Sequence, residues 1–520
     1  MSPASPRRRG RSARLADRIA ASPAERRPVR PGLPGGRYRP LDDADLQRIH
    51  HTALRLLDEL GVAQCTPSLI ARAEARGARL DDAGRLHFPR ALVEDVLAST
   101  RREYTLHAFE PARDLQLGKQ RVHTGTGGAA PMMLDFESGA YRDSTVADLY
   151  DIARLVDGLE HIHWYHRSVV ARDAPTMLDL DLNSAYACLS GTSKPIAISF
   201  CDGASVGPVV EMFDMALGGA GRFRRRPFCT AVCCHVVPPL RFAEDSLDAL
   251  EQAVLHGMPI LLVAAGQAGA TSPAALAGSV AQAVAEVLAG LVLANLVDPR
   301  CRAIFATWPF VSDLRTGAMS GGSGEQALLM AACAQMAAFY DLPGSVAAGM
   351  TDAKIPDAQS GGEKGYTVTL AAQAGSCMIH ECAGMHASLM GTALESYVID
   401  NDLLGAIQRT VRGIEVSDET LSFDTIRAVV EGEGHFLGHP QTLGLMERDY
   451  LYPEVADRLS PDDWREAGAR DMRERARERV RAMLAEHYPR HLDAALDAGL
   501  RERFHIVLPR QRMRPGNGVW

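Results

Sequence analysis

Three kinds of side chain stand where chemistry could occur. The first is aromatic. Only 6% of the 520 residues are Phe, Trp or Tyr, yet Tyr165, Trp308 and Phe310 all fall at the ends of short apolar runs. Aromatic faces hold cations, quaternary ammonium groups in particular; core packing is the plain alternative. The second kind is cationic: Arg167, Arg315 and Lys354 follow similar runs. Any of them could pair with a carboxylate, and an arginine fork does so with two parallel hydrogen bonds. Bridges to Asp313 and Asp352 are the ordinary alternative. Arg315 is preferred, because it shares a loop with Trp308 and Phe310. The third kind is polar or titratable: Gln267, His380, Glu381 and His386. Acid–base work by His380 or Glu381 would suit a lyase or hydrolase.

Other signals point less far. Cys233, Cys234 and His235 are consecutive. Neighbours on a strand face opposite sides, and zinc needs three or four convergent ligands, so no metal is expected there. The ten cysteines form no CxxC pair, and the chain reads as reduced, intracellular and cytoplasmic. GTGG (125–128) lacks the spacing of a dinucleotide loop. MSGGSGEQ (319–326) reads as a helix start capped by Ser323, with anion binding as the sharper alternative. GMTDAKIPDAQSGGEKGY (349–366) is a long polar loop of the kind that carries function.

Eight short apolar or β-branched runs must position these residues. They begin at 121, 161, 194, 226, 258, 302, 342 and 377, and a helical segment follows each. Thr145 with Asp148 resembles a capping box, and Ser272–Pro273 resembles a helix start. Strand–helix alternation implies parallel pairing with right-handed crossovers. Eight units close into a (β/α)8 TIM barrel of the α/β class, with a doubly wound open sheet as the other arrangement. In such a barrel the active site lies at the strand C-terminal ends, where the candidates above fall. The expected organisation is a disordered basic tail and linker over 1–40, an α-rich N-terminal region over 41–118, the barrel over 119–395 and a helical C-terminal extension over 396–520. Residues 460–490 read as one charged helix.

Composition excludes several classes. Hydrophobic residues at 46% and charged residues at 23% describe an ordinary globular chain. A net charge of −8 argues against a nucleic-acid surface, although the first 30 residues carry nine arginines. The apolar run 273–297 is broken by Gln282, Glu286 and Asn295, so a buried helix is expected rather than a membrane span.

Several segments carry a family resemblance. GLPGGRYRPL (32–41), YRDSTVADLYDIARLVD (141–157), AAGQAGATSPA (264–274), FATWPFVSDLRTGAMSGGSGEQALL (305–329), GMTDAKIPDAQSGGEKGY (349–366) and ECAGMHASLMG (381–391) resemble the trimethylamine methyltransferase family, MttB-like, over roughly residues 31–455. The resemblance implies a (β/α)8 barrel that passes a methyl group from an amine to the cobalt of a separate corrinoid protein. The trimethylamine-specific branch carries pyrrolysine, which this sequence lacks. It therefore resembles the non-pyrrolysine branch, which includes glycine betaine methyltransferase. That branch implies a quaternary amine such as a betaine as substrate. The chain shows no corrinoid-binding domain and no DxHxxG motif. Cobalamin is therefore expected on the partner, with no cofactor bound permanently, and a homo-oligomer is expected. A barrel that only binds betaines without turnover is the remaining alternative.

Overall fold

Runs such as ILLVA (260–264) and AIFAT (303–307) are apolar at every position, as strands covered on both faces require. In the computed structural model, which describes residues 27–432 and 434–520, they belong to a closed barrel of eight parallel strands. The strands are β1 (Arg121–Thr126), β2 (Tyr165–His166), β3 (Ile196–Ile198), β4 (Cys229–Cys233), β5 (Ile260–Ala264), β6 (Ala303–Thr307), β7 (Gly344–Ala347) and β8 (Met378–Ala383). Each pairs in parallel with the next, and β8 returns to β1. The bridge between Gly125 and Trp164 closes the ring between β1 and β2. The expected TIM barrel is the observed fold, with all eight strands inside the expected runs.

The crossover helices are α1 (Val146–Asp157), α2 (Met177–Gly191), α3 (Val206–Ala216), α4 (Glu244–Leu255), α5 (Leu276–Val297), α6 (Gly324–Phe339), α7 (Ala358–Gln373) and α8 (Leu394–Arg412). Thr145 and Asp148 form the capping box of α1, and Ser323 caps α6 by accepting from Gln326 N–H. Among the described residues one helix, α5, is long and apolar enough to cross a membrane, and 89% of its most apolar stretch is buried in the protein. The N-terminal helices Asp43–Arg55, Pro67–Glu74 and Arg90–Ser99 pack against it and supply that cover.

Four local expectations change. Residues 272–273 do not start α5; its N-cap is Ala275, and the Ser272 hydroxyl meets that of Ser279 instead. The charged stretch 460–490 is two helices, Pro461–Glu466 and Met472–Glu486, because Gly468 and Ala469 adopt positive φ between them. The expected tail over 1–40 falls partly outside the described residues; within them, Leu33–Pro34 pairs antiparallel with β1. The boundary at 395 falls at the start of α8, the eighth barrel helix.

Candidate active site

Alternation along β2 decides which of its side chains enter the barrel. Trp164 and His166 point to the interior and Tyr165 points away. Tyr165 donates its hydroxyl to the Leu149 carbonyl of α1 at 3.1 Å, so it lies in the helix layer. From β8, His380 meets both interior side chains. Its ring centroid lies 4.1 Å from the Trp164 ring and 5.6 Å from the His166 ring. Trp308, just past β6, closes the other side at 4.7 Å. The Trp308 indole N–H donates to Ser345 Oγ at 3.3 Å, and that hydroxyl stands 2.8 Å from His380 Nδ1. With Oγ already accepting from the indole, the serine proton goes to Nδ1. The neutral imidazole then carries its own proton on Nε2, which has no partner among the described residues.

Glu381 joins this cluster through an irregularity. Ile379 faces Thr124 and Ala383 faces Thr126, so four steps along β8 oppose two along β1. Such a bulge re-aims a side chain. Glu381 has φ of 65°, a left-handed value that costs a non-glycine residue on the order of 1–3 kcal/mol. Its Oε1 accepts from Gly128 N–H at 3.2 Å, while Oε2 has no partner. Burial pushes the carboxyl up to about 8, only partly opposed by the Gly128 hydrogen bond. Burial also lowers His166 to about 3 and holds His380 well below the usual histidine range. Both imidazoles are neutral at pH 7.

The GTGG segment makes room for all of this. A Cβ on Gly125 would lie 2.0 Å from the Trp164 ring, and one on Gly127 only 1.4 Å from Glu381 Oε2. One on Gly128 would lie 2.3 Å from the His166 ring. The glycines serve side chains of the barrel rather than a phosphate.

Buried polar atoms normally find partners. Here many do not: Trp164 Nε1, both nitrogens of His166, His380 Nε2, Glu381 Oε2, Thr307 Oγ1, and Nε and Nη1 of Arg167. They gather at the strand C-terminal ends, as a ligand site in a barrel would. Arg167 is 6% exposed, and its charge acts on Asp181, Cys201 and Cys234 around the ends of β3 and β4.

The candidates separate clearly. The structure brings Trp308 against His380, sets the Glu381 carboxyl at the glycines that end β1, and leaves Arg167, next to His166 in the chain, buried with Nε and Nη1 free. Phe310 is buried in the core, in a short strand parallel to Gln267–Ala268. Gln267 sits half-buried in that outer strand. His386 is held away on Ser396 of α8, at 2.6 Å. Arg315 does not reach the interior: its side chain is 88% exposed and pairs with Asp313 at 2.8 Å. Lys354 is exposed too and donates to the Asp352 carbonyl. The expected long polar loop is only half loop: residues 358–366 open α7, with Asp357 as N-cap, and within the remaining 349–357 Asp352 accepts from Ser320, Gly321 and Ser388, tying three strand-end loops together. Among the described residues no group of three or more His, Cys, Asp or Glu could hold a metal ion. His235 instead meets the Glu286 carbonyl of α5.

Three residues of this cluster stand outside the set proposed above for binding: Trp164 and His166, which the barrel rule places at the end of a strand, and Ser345. The alternation in HIHWYHRSVV was the available signal for the first two. Choosing an inward His166 forces Tyr165 outward.

A closed parallel barrel with an aromatic and titratable cluster at its strand ends has the layout of a (β/α)8-barrel enzyme. A family model described as Trimethylamine methyltransferase (MTTB) matches residues 7–507, and the chain belongs to that family. Glycine betaine methyltransferase of Desulfitobacterium hafniense is 28% identical over 89% of this chain and 96% of its own length. Trimethylamine methyltransferase MttB of Methanosarcina thermophila is 31% identical over 86% of this chain and 93% of its own length. The crystal structure of the Methanosarcina barkeri monomethylamine methyltransferase (MtmB) is 12% identical, covering 85% of this chain and 88% of that one, with a TM-score of 0.48.

Proposed function

We propose that this chain takes a methyl group from a small quaternary amine bearing a carboxylate, glycine betaine or a related betaine, and delivers it to a corrinoid on a separate protein. The observation that carries this reading is the interior cluster itself. Two indoles flank His380, the Glu381 carboxyl stands at the end of β1 with one oxygen free, and Arg167, the residue after His166, is buried with Nε and Nη1 unpartnered. Indole faces attract an ammonium, and the arginine fork suits the carboxylate at the other end of a zwitterion. Full-length similarity to a glycine betaine methyltransferase supports the same substrate class.

The residues present fit a small cation and not a macrocycle, because Trp164, His166, His380 and Glu381 are each under 4% exposed. The corrinoid is therefore assigned to a partner that meets the barrel mouth. It supplies a reduced cobalt nucleophile for the methyl carbon. A quaternary ammonium already contains its leaving group, a neutral tertiary amine, so no side chain needs to donate a proton. The chain's residues bind, orient and exclude water. Trp164 and Trp308 hold the trimethylammonium head, and Ser345 and His380 fix the Trp308 plane by hydrogen bonding. Arg167 anchors the carboxylate and so decides which methyl faces outward.

The direct test is methyl transfer to free cob(I)alamin by the purified chain, offered glycine betaine, longer betaines, choline and trimethylamine. Turnover of betaines above trimethylamine is expected. Turnover of trimethylamine alone, or of none of the amines, overturns the reading.

A further inference from the structure

We infer that Glu381 is the counter-ion of the substrate's ammonium head, and that a cation entering the barrel expels the Glu381 proton to solvent. The inference rests on the substrate class proposed above and deepens it.

The geometry comes first. The β8 bulge and the positive φ set the carboxyl against Gly127 and Gly128 at the end of β1, where Gly128 also lies against the His166 ring. Gly127 has no side chain where one would strike Oε2. Gly128 N–H fixes Oε1 and leaves Oε2 unpartnered at Gly127, one residue from the glycine that the His166 ring abuts. A strained, buried acid held this way is a purpose-built charge site rather than a packing element.

The surrounding groups decide its protonation. On the interior side stand His166 and His380, both kept neutral by burial. On the outer side, Tyr397 of α8 and Cys382 of β8 are pushed up by burial and stay uncharged. Asp400 of α8 also faces this region, but its carboxylate is bound to Lys364 of α7 at 2.6 Å and to Gly384 N–H. The Lys364 ammonium is thereby engaged, and no cation of the described chain bonds Glu381. An empty barrel thus leaves the carboxyl raised to about 8 and mostly protonated at pH 7.

A quaternary ammonium changes this balance. It cannot hydrogen-bond, so its charge must be met by indole faces and an opposite charge. The carboxyl O–H bond breaks, the proton passes to buffer, and the carboxylate remains against the cation. The head site then holds zero net charge before and after. Exchange of a proton for an organic cation avoids the cost of an uncompensated charge in a dry interior.

The sign of the pH dependence follows. Below about pH 8 each bound cation displaces a proton, so affinity rises with pH; above it the group is already ionised and affinity levels off. From pH 6 to pH 7 the Kd should fall about tenfold, and from pH 9 to pH 10 it should not move.

The experiment is titration calorimetry of the full chain with glycine betaine and with tetramethylammonium, in pairs of buffers of different ionisation enthalpy. About one proton released per cation at pH 6.5, and close to none at pH 9.5, is the expected result. Glu381→Gln should weaken binding, release no proton and flatten the pH profile, whereas Glu381→Asp should keep the release. Thermal unfolding reports whether each variant folds. If the Gln variant does not, the wild-type proton count and the loss of a protonated-carboxyl infrared band on cation binding decide alone. Binding by the wild type without proton release overturns this inference and leaves the substrate reading standing, as does undiminished release by a folded Gln variant. Failure of both cations to bind overturns the substrate reading and this inference with it.

Discussion

The ends of β2 and β6 each present an arginine near the barrel mouth, and the two could hardly differ more. Arg167 follows two inward-facing aromatic positions, is 6% exposed, and keeps two guanidinium N–H groups without partners. Arg315 lies on a loop, is 88% exposed, and closes a bidentate pair with Asp313 two residues away. Near the Arg167 donors water is scarce, so an unsatisfied guanidinium there is costly until a ligand arrives. Near Arg315 water and Asp313 already satisfy the charge, and a surface pair of this kind contributes little. The same residue type at equivalent topological positions is poised in one case and spent in the other. Sequence proximity to Trp308 favoured Arg315; burial favours Arg167.

The strongest way to break this comparison is to disturb the buried frame itself. Lys364→Met strands Asp400 beneath the β8 exit, and losing one partner of a buried pair costs about 3–5 kcal/mol. Chemical denaturation should show that loss. A change below about 1 kcal/mol would mean that water reaches Asp400 and that the interior is wetter than its burial implies.

Next comes Arg167→Ala. A charge-assisted pair to a substrate carboxylate contributes about 1.5–3 kcal/mol, so kcat/KM for a betaine should fall roughly ten- to a hundredfold. Choline, which lacks the carboxylate, should lose far less. Equal losses on both substrates would make Arg167 a structural residue.

Trp308→Leu removes one cation–π face, which is worth about 0.5–2 kcal/mol, and should raise the Kd of betaine and choline alike by about 2- to 30-fold. Unchanged affinity would leave Trp164 to carry the cation alone. Arg315→Ala should have the smallest effect, with kcat/KM unchanged on both substrates. A betaine-selective loss there would reverse the ranking of the two arginines.

The cluster also shows how far a sequence reads. The eight strand runs were legible because a parallel barrel strand is covered on both faces and so is apolar throughout, as in ILLVA. The α1 capping box was legible because its hydrogen bonds span three residues. Trp308 was legible as an aromatic at a strand end. Tyr165 was misread as a site residue although one step of alternation separates it from His166. The stretch 349–366 read as one functional polar loop, yet its second half is the start of α7 and its Asp352 binds loops from β6 and β8 that lie far off in sequence.

What the sequence alone determined, then, is whatever depends on neighbours within a turn or a strand: the βα rhythm, the barrel class, the family and the strand-end addresses of the candidates. Tertiary structure decided which of those addresses face inward and which charges are already spent. The register shift of β8 against β1 turned Glu381 toward Gly127 and Gly128, more than 250 positions earlier in the chain. Burial then made its carboxyl a poor acid. Both effects are set by the packing of distant segments, because desolvation and strand register are properties of the assembled barrel and of no single stretch of chain.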